Sequence, residues 1–205
     1  MTWILTHKGH EHPLLAPPTD QYDLGEVAHA LSQINRYTGH TVRPYSVAEH
    51  SLLCADMAHL CGHPSVVELC CLLHDAHEAY CGDMPSPIKP LLGEAWMLFE
   101  QAQQEALLQA LGLNEAMSEH AATVRRFDLT ALATERRDLL PYLRDRHRPW
   151  PVLDTEGAQV RPWQSAALMA PSCVLRTPRE WAKRFHDRAV ALMGEVRDLR
   201  AEVAL

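Results

Sequence analysis

The 205-residue sequence lacks several features that define whole classes of protein. It has no apolar run near the length that crosses a bilayer, no internal repeat and no low-complexity tract. Its N-terminal stretch, MTWILTHKGHEHPLL, is too short and too polar for a signal peptide. None of the six cysteines forms a C-x-x-C pair, and several lie in apolar helical stretches, which indicates buried hydrophobes in a reducing compartment rather than disulfides. We therefore expect a cytoplasmic protein that does not enter a membrane.

Charge and composition limit the class of partner. The formal net charge is −7, which repels nucleic acid polymers and acidic lipid at long range. A small anionic ligand is still compatible, because a metal ion and a few basic side chains can reverse the sign locally. Hydrophobic residues make up 47% and charged residues 22% of the chain, as in ordinary globular domains. The thirteen histidines are the unusual count, and they direct attention to metal chemistry.

Three pairs of residues with the spacing of a capping box predict where helices begin. The pairs are Asp23 with Glu26, Ser46 with Glu49, and Ser65 with Glu68. The first of these helices must end before Gly39, the second runs to about Leu60, and the third continues through Tyr80 to Gly82. The two prolines in GDMPSP, at positions 82–87, exclude a helix there.

The remaining pattern predicts an all-α bundle with a short extended or hairpin segment at the N-terminus. We expect one domain over residues 1–205, with a core at 24–140 and a C-terminal wrap and helix at 145–205. The other predicted segments are an extended stretch at 1–18, helices at 91–111 and 118–140, a Pro- and Trp-rich wrap at 145–178 and a last helix at 178–203. That last helix caps the domain or meets a partner subunit, so a homo-oligomer (a dimer or larger) is expected.

Helical spacing places histidines and acids on buried stripes. These stripes are Val47, His50, Cys54 and Met57 in the second helix, Val67, Cys71, His74 and Glu78 in the third, and Val124, Asp128, Ala131 and Glu135 in the fifth. A buried acid must be paired or bound to a cation. His50, His74, Asp75 and Asp128 are therefore predicted to converge on a metal ion. Their nitrogen and oxygen donors suit Mn, Fe, Co, Ni or Zn.

The same residues carry a family resemblance. Besides the ordered donors, the matching stretches over roughly residues 24–140 are Asn35-Arg36-Tyr37, YSVAEHS at 45–51, LLHDAHE at 72–78, GDMPSPIK at 82–89 and FDLTAL at 127–132. This set resembles the HD-domain metal-dependent phosphohydrolases, and among them the bacterial 5'-deoxynucleotidases and phage nucleotide phosphohydrolases. The fold that the resemblance implies is an HD-domain helical bundle.

The resemblance implies roles for further residues. Arg36 matches the arginine that holds the nucleotide phosphate, and Glu78 the acid that orients or deprotonates the attacking water. Asp83 matches the acid near the leaving oxygen or the sugar 3'-hydroxyl, where relatives select deoxyribose. Tyr37 stands where close relatives have Trp against the base or sugar. Additional phosphate contacts are implied for Lys89 and Arg125.

Four of these residues also have a purely structural interpretation. Glu78 could pair with a neighbouring helix, and Asp83 could form only the turn after Gly82. Arg36 could sit favourably in the last turn of a helix, and Tyr37 could serve packing alone.

Hydrolysis of a deoxynucleoside monophosphate by a 5'-deoxynucleotidase is the function this pattern favours. A deoxynucleoside triphosphate triphosphohydrolase that releases triphosphate is the first alternative. A non-catalytic nucleotide sensor is a second alternative, which the presence of both Glu78 and Asp83 disfavours. A cyclic-nucleotide phosphodiesterase is a third, which the GDMPSPIK match disfavours.

Overall fold

The computed structural model describes residues 2–203, with side chains up to residue 199. An antiparallel hairpin of β1 (Trp3–Leu5) and β2 (Glu11–Pro13) opens the chain. The helices are α1 (Leu24–Gln33), α2 (Val47–Leu60), α3 (Ser65–Leu73), α4 (Glu78–Cys81), α5 (Lys89–Leu92), α6 (Glu94–Ala110), α7 (Asn114–Leu139), α8 (Pro151–Asp154), α9 (Pro171–Val174) and α10 (Pro178–Val203). The all-α class with a terminal hairpin is confirmed. No helix within residues 2–203 is long and apolar enough to span a bilayer.

Asp23 and Ser46 cap the helices that the sequence predicts them to cap, but only the second capping box forms in full. The Asp23 carboxylate accepts from the backbone N–H groups of Gly25 and Glu26 at the start of α1. Ser46 and Glu49 form the full reciprocal box at the start of α2, each side chain accepting from the other residue's backbone N–H. In α1 the box is only half formed, because Glu26 instead accepts a hydrogen bond from the Thr6 hydroxyl of the hairpin at 2.6 Å. That bond ties the hairpin to the bundle.

The predicted capping box of Ser65 with Glu68 is wrong. Pro64 precedes α3 and no side chain caps it. The Ser65 hydroxyl bonds Glu195 of α10, and Glu68 pairs with His59 of α2 and with Arg188 of α10. Partners from other helices therefore bind the Ser65 hydroxyl and the Glu68 carboxylate, the two groups that would have formed the cap. The third helix begins where it was predicted to begin, but its side chains stabilise the packing of the bundle.

The third helix is also shorter than predicted. It ends at Leu73, and residues 74–77 form a turn with hydrogen bonds of the i to i−3 type, such as Ala76 N–H to the Leu73 carbonyl at 3.1 Å. The short helix α4 resumes at Glu78. The backbone keeps right-handed helical angles at His74 and His77, and Oδ2 of Asp75 lies 3.3 Å from Nε2 of His74.

The main core lies between α1, α2, α3 and α10. Phe185 and Ala189 of α10 are fully buried against this group, as the predicted apolar stripe requires. The segment after α7 lies along that helix and is attached by main-chain hydrogen bonds. Trp163 N–H donates to the Thr134 hydroxyl at 2.8 Å, and Leu168 N–H donates to Asp138 at 3.0 Å. A second cluster of buried side chains joins α2, α3 and α7, the three helices that carry the predicted metal ligands.

Candidate metal centre

The four predicted ligands meet between α2, the end of α3 and α7. Nε2 of His50 lies 3.3 Å from Nε2 of His74 and 3.3 Å from Oδ1 of Asp128. Oδ2 of Asp75 lies 3.6 Å from Nε2 of His50 and 3.3 Å from Nε2 of His74. Ligand atoms about 2.1 Å from a common ion stand about 3.0 to 3.4 Å apart, depending on coordination number. Three of these four separations fall within that range, and the fourth, 3.6 Å, is slightly longer.

Each histidine uses its other ring nitrogen to bind an acceptor behind it. Nδ1 of His50 lies 2.6 Å from Oε1 of Glu135, and Nδ1 of His74 lies 2.8 Å from the carbonyl oxygen of Cys71. Since both partners accept hydrogen bonds, Nδ1 carries a proton in each ring. In a neutral imidazole the lone pair of Nε2 then faces the other donors, as a metal ligand requires.

The acidic groups around the His50 and His74 rings favour a positive charge at this position. Burial and Arg36 disfavour a charged His50 ring, yet Cys54, Glu135 and Asp128 raise the pKa of His50 well above its ordinary value. Burial also opposes ionisation of Asp75, but the neighbouring His74, His50 and Arg36 hold the pKa of that carboxyl well below its usual range. Without an added positive charge, each Nε2 lone pair would face carboxylate oxygen. A divalent metal therefore fits the donor set, and the mixed donors suit Mn, Fe, Co, Ni or Zn.

Glu135 was not among the predicted site residues, although the sequence contains a signal for it. It is fully buried on α7, seven residues after Asp128 on the same stripe. Burial opposes its ionisation, but Arg36 and His50 lower the pKa of Glu135 to about 2. Its two oxygens contact His50 Nδ1 and, at 2.5 Å, the donating hydroxyl of Tyr37. Glu135 therefore holds the His50 ring with Nε2 directed at the donors.

The segment at residues 34–46 positions Arg36 and Tyr37 beside the predicted metal ligands. Arg36 N–H donates to the Tyr45 carbonyl at 2.9 Å, which fastens the loop to the start of α2. Tyr37 and Thr38 adopt positive φ of 57° and 49°, a left-handed conformation that residues other than glycine rarely take. Such strain persists only where surrounding contacts enforce it. The hydrogen bond from Tyr37 to Glu135 is one of those contacts.

Arg36 lies between two acids of the site. Its Nη1 is 3.4 Å from Oδ2 of Asp75 and its Nε is 3.4 Å from Oε2 of Glu135. Both distances are at the long end for an ion pair, and Nε has no hydrogen-bond partner among the described residues. The guanidinium is thus beside the donors with hydrogen-bonding capacity left over.

Glu78 and Asp83 flank the turn that follows the donors. Glu78 is only 4% exposed, and its Oε2 has no hydrogen-bond partner among the described residues. Burial, reinforced by the neighbouring Asp75 and Asp83, raises the pKa of Glu78 well above its ordinary value. Burial also raises the pKa of Asp83, and Arg36 opposes that shift. Both predicted acids thus interact electrostatically with the donor group.

The two basic residues predicted to contact phosphate differ in their surroundings. The Lys89 ammonium donates to Oε1 of Glu100 at 2.8 Å, in a second cluster of possible ligands made of His77, Glu78 and Glu100. Arg125 is exposed on α7, and no ion pair to it forms within the described part of the chain. It lines a cavity of about 440 Å³ between α6 and α7. Besides Arg125, the lining includes His74, Asp75, Gln104, Asn114, Ser118 and Asp128.

Comparison with known proteins agrees with this geometry. The family model described as the HD domain matches residues 28–132, slightly more than half of the chain. The chain is an HD-domain protein. It is also 36% identical over 154 residues to the uncharacterized protein YfdR of Escherichia coli, covering 75% of this chain and 80% of that protein. An uncharacterized protein of Rhodobacter capsulatus is 33% identical over 116 residues, covering 54% and 59% of the two chains.

Membership of this family and the geometry of the donors both indicate metal-dependent chemistry. HD domains form a superfamily of metal-dependent phosphohydrolases, and the resemblance found in the sequence is confirmed at that level. Here the imidazole and carboxylate groups of His50, His74, Asp75 and Asp128 lie close together and are the candidate ligands. Their assignment as ligands and the roles of Arg36, Glu78 and Asp83 stay predictions.

Removing the charge of Glu135 tests whether this residue supports His50 as a metal ligand. Glu135→Gln keeps the size of the side chain but weakens the acceptor that orients His50. We expect metal affinity to fall by about 10- to 100-fold, the usual effect of losing a partner behind a histidine ligand. Calorimetric titration with Zn²⁺ or Mn²⁺ measures it. Glu119→Gln, at an exposed position of the same helix, is the matched control. Equal affinity in both variants would show that Glu135 does not support the ligand.

Proposed function

We propose that this HD domain hydrolyses the phosphate ester of deoxynucleoside 5'-monophosphates. The observation that carries the proposal is the position of Arg36 within 3.4 Å of Asp75, beside the metal donors and in electrostatic contact with Asp83. A phosphate bound at the donors would meet a guanidinium on one side, and the sugar attached to it would approach an acid. The cavity of about 440 Å³ at His74, Asp75 and Asp128 falls in the range of small-molecule sites.

The chain's own residues divide the work of the reaction. A bound divalent ion supplies Lewis-acid charge to the phosphoryl group and acidifies water. Glu78 takes a proton from the attacking water as the new oxygen–phosphorus bond forms, and the bond from phosphorus to the 5'-oxygen breaks. Arg36 neutralises the charge that develops on the phosphoryl oxygens. A proton from solvent passes to the 5'-oxygen, which releases the nucleoside and orthophosphate, and Glu78 returns its proton to solvent.

The surroundings of Lys89 bear on the choice between monophosphate and triphosphate. A triphosphate carries more charge and needs more cations near the metal. Lys89 is engaged by Glu100 at 2.8 Å, which leaves Arg125 as the exposed basic residue of the predicted pair. This supports the monophosphate over release of triphosphate by a triphosphohydrolase.

The direct test is a metal screen against all nucleoside mono- and triphosphates, with products separated by chromatography. We expect nucleoside and orthophosphate from deoxynucleoside monophosphates with at least one transition metal. Inorganic triphosphate as the product would instead establish the triphosphohydrolase. Absence of turnover with every nucleotide, in protein shown to contain metal, would contradict the proposal.

The position of Asp83 leads to an expectation about the sugar. It follows Gly82, whose φ is 81°, in a segment that the two following prolines keep out of a helix, and it is half-buried and interacts electrostatically with Arg36. An acid that reads the 3'-hydroxyl is left desolvated and unpaired when that group is missing. We expect kcat/KM for a 2',3'-dideoxynucleotide to be lower than for the deoxynucleotide by about tenfold or more. Asp83→Ala should bring the ratio of the two kcat/KM values closer to one.

The control for this comparison is Asp145→Ala, at an exposed acid after α7, which should keep the wild-type ratio. Comparing ratios rather than rates removes any general effect of the substitution on folding. Equal kcat/KM for the deoxy and dideoxy substrates on the wild-type protein would show that the 3'-hydroxyl is not read. Asp83 would then be a residue of the turn alone.

A further inference from the structure

Cys54 lies beside the metal donors and has no part in the function proposed above. It stands one turn after His50 on α2, and it is 1% exposed. Its sulfur is 3.7 Å from Nε2 of His50, the nitrogen that faces the donors. The ligand atoms of His50, Cys54 and His74 all lie within 4.8 Å of one another. The thiol is therefore directed at the donor group.

The separation of these atoms is close to that of two ligands on one ion. A thiolate about 2.3 Å and an imidazole nitrogen about 2.1 Å from the same metal stand about 3.1 to 3.6 Å apart, depending on the coordination number. The observed 3.7 Å reaches that spacing with a small movement of the side chain. Cys70 and Cys71, by contrast, are buried in the same apolar cluster but do not belong to this group of possible ligands.

We propose that Cys54 is a further ligand of this metal centre, in addition to His50, His74, Asp75 and Asp128. The thiol proton is released to solvent as the metal–sulfur bond forms, since a coordinating thiol is deprotonated by the ion it binds. A thiolate is a soft ligand, whereas carboxylates suit hard ions such as Mn²⁺ and Mg²⁺. Cys54 therefore biases the centre toward Zn²⁺ and other thiophilic ions.

Cobalt substitution tests the ligand directly. Co²⁺ added to the metal-free protein should produce the near-ultraviolet absorption of thiolate-to-metal charge transfer. Cys54→Ser should lose this band. Cys54→Val, which removes the sulfur but keeps an apolar side chain, should lose it too and replaces the serine variant if that variant folds poorly. Cys70→Ser is the matched control, because Cys70 is equally buried in the same cluster, and it should keep the band.

Metal affinity gives a second measurement. Cys54→Ser should weaken Zn²⁺ binding by about tenfold or more while changing Mn²⁺ binding much less, because only the soft ion gains from the thiolate. A wild-type cobalt spectrum without the charge-transfer band, or a band that survives in both Cys54 variants, would overturn the proposal. Equal losses for the two ions would also contradict it. Neither measurement uses a nucleotide, so a wrong substrate assignment leaves the result unaffected.

Discussion

Asp75→Asn should remove the metal and with it nearly all hydrolysis. Asp75 lies 3.3 Å and 3.6 Å from the Nε2 atoms of both predicted histidine ligands, and His74, His50 and Arg36 hold the pKa of its carboxyl well below the usual range. The amide keeps the shape but removes the charge that faces the ion. Loss of a partner behind a ligand already costs about 10- to 100-fold in affinity, so loss of the ligand itself should cost at least about 100-fold. His74→Ala should have the same effect.

Elemental analysis after reconstitution measures this loss, and we expect roughly one ion per wild-type chain. Thermal unfolding gives an independent reading, because an ion at about 100 times its Kd adds about 2.7 kcal/mol to the free energy of unfolding. That stabilisation should be absent in Asp75→Asn at the same metal concentration. The control is Asp187→Asn at an exposed acid of α10. Full occupancy in both Asp75→Asn and His74→Ala would end the metal assignment.

Glu78→Gln should retain the metal and lose most of the turnover. The Glu78 side chain is buried beside the donors, and one of its oxygens has no hydrogen-bond partner among the described residues. Glutamine fills the same space but cannot accept a proton. Loss of a general base costs about 10² to 10⁴ in rate, so we expect kcat to fall by that factor while metal content is unchanged.

Glu68→Gln is the control for this variant. Glu68 is equally buried, at 4% exposure, but pairs with His59 and Arg188 away from the donors. It therefore measures what the loss of any buried acid does to this protein. If Glu78→Gln turns over the best substrate at the wild-type rate, Glu78 has a structural role and the water is activated without it.

Helix ends were predictable from sequence where the capping partners are local. Ser46 and Glu49 are three residues apart, and their box forms as the sequence predicts. Ser65 and Glu68 have the same spacing, but α2 and α10 supply their partners instead. A capping interaction contributes only about 1 kcal/mol, so ion pairs and hydrogen bonds to other helices can override it. The partners that decided the outcome lie up to 130 residues away along the chain.

Lys89 shows that a partner distant in sequence can also override a local prediction at the candidate site. Its position in GDMPSPIK indicated a phosphate contact, yet Glu100 of α6 engages its ammonium group. Glu135 illustrates the converse. Its place on the stripe of Asp128 marked it as a buried acid in need of a partner, but the partner, His50, is 85 residues away in another helix. Periodicity predicts which way a side chain points on its own helix and does not predict what it meets.

The sequence by itself determined the helices, the stripes on which His50, His74 and Asp128 lie, and the resemblance that led to the HD domain. These depend on spacing of a few residues, which helical geometry converts into a shared face. Only the tertiary structure decided the interruption of the third helix at residues 74–77 and the contact between Cys54 and His50 at the donor group. The reason is that a metal centre requires atoms to meet within about 3 Å, and packing between helices sets distances on that scale.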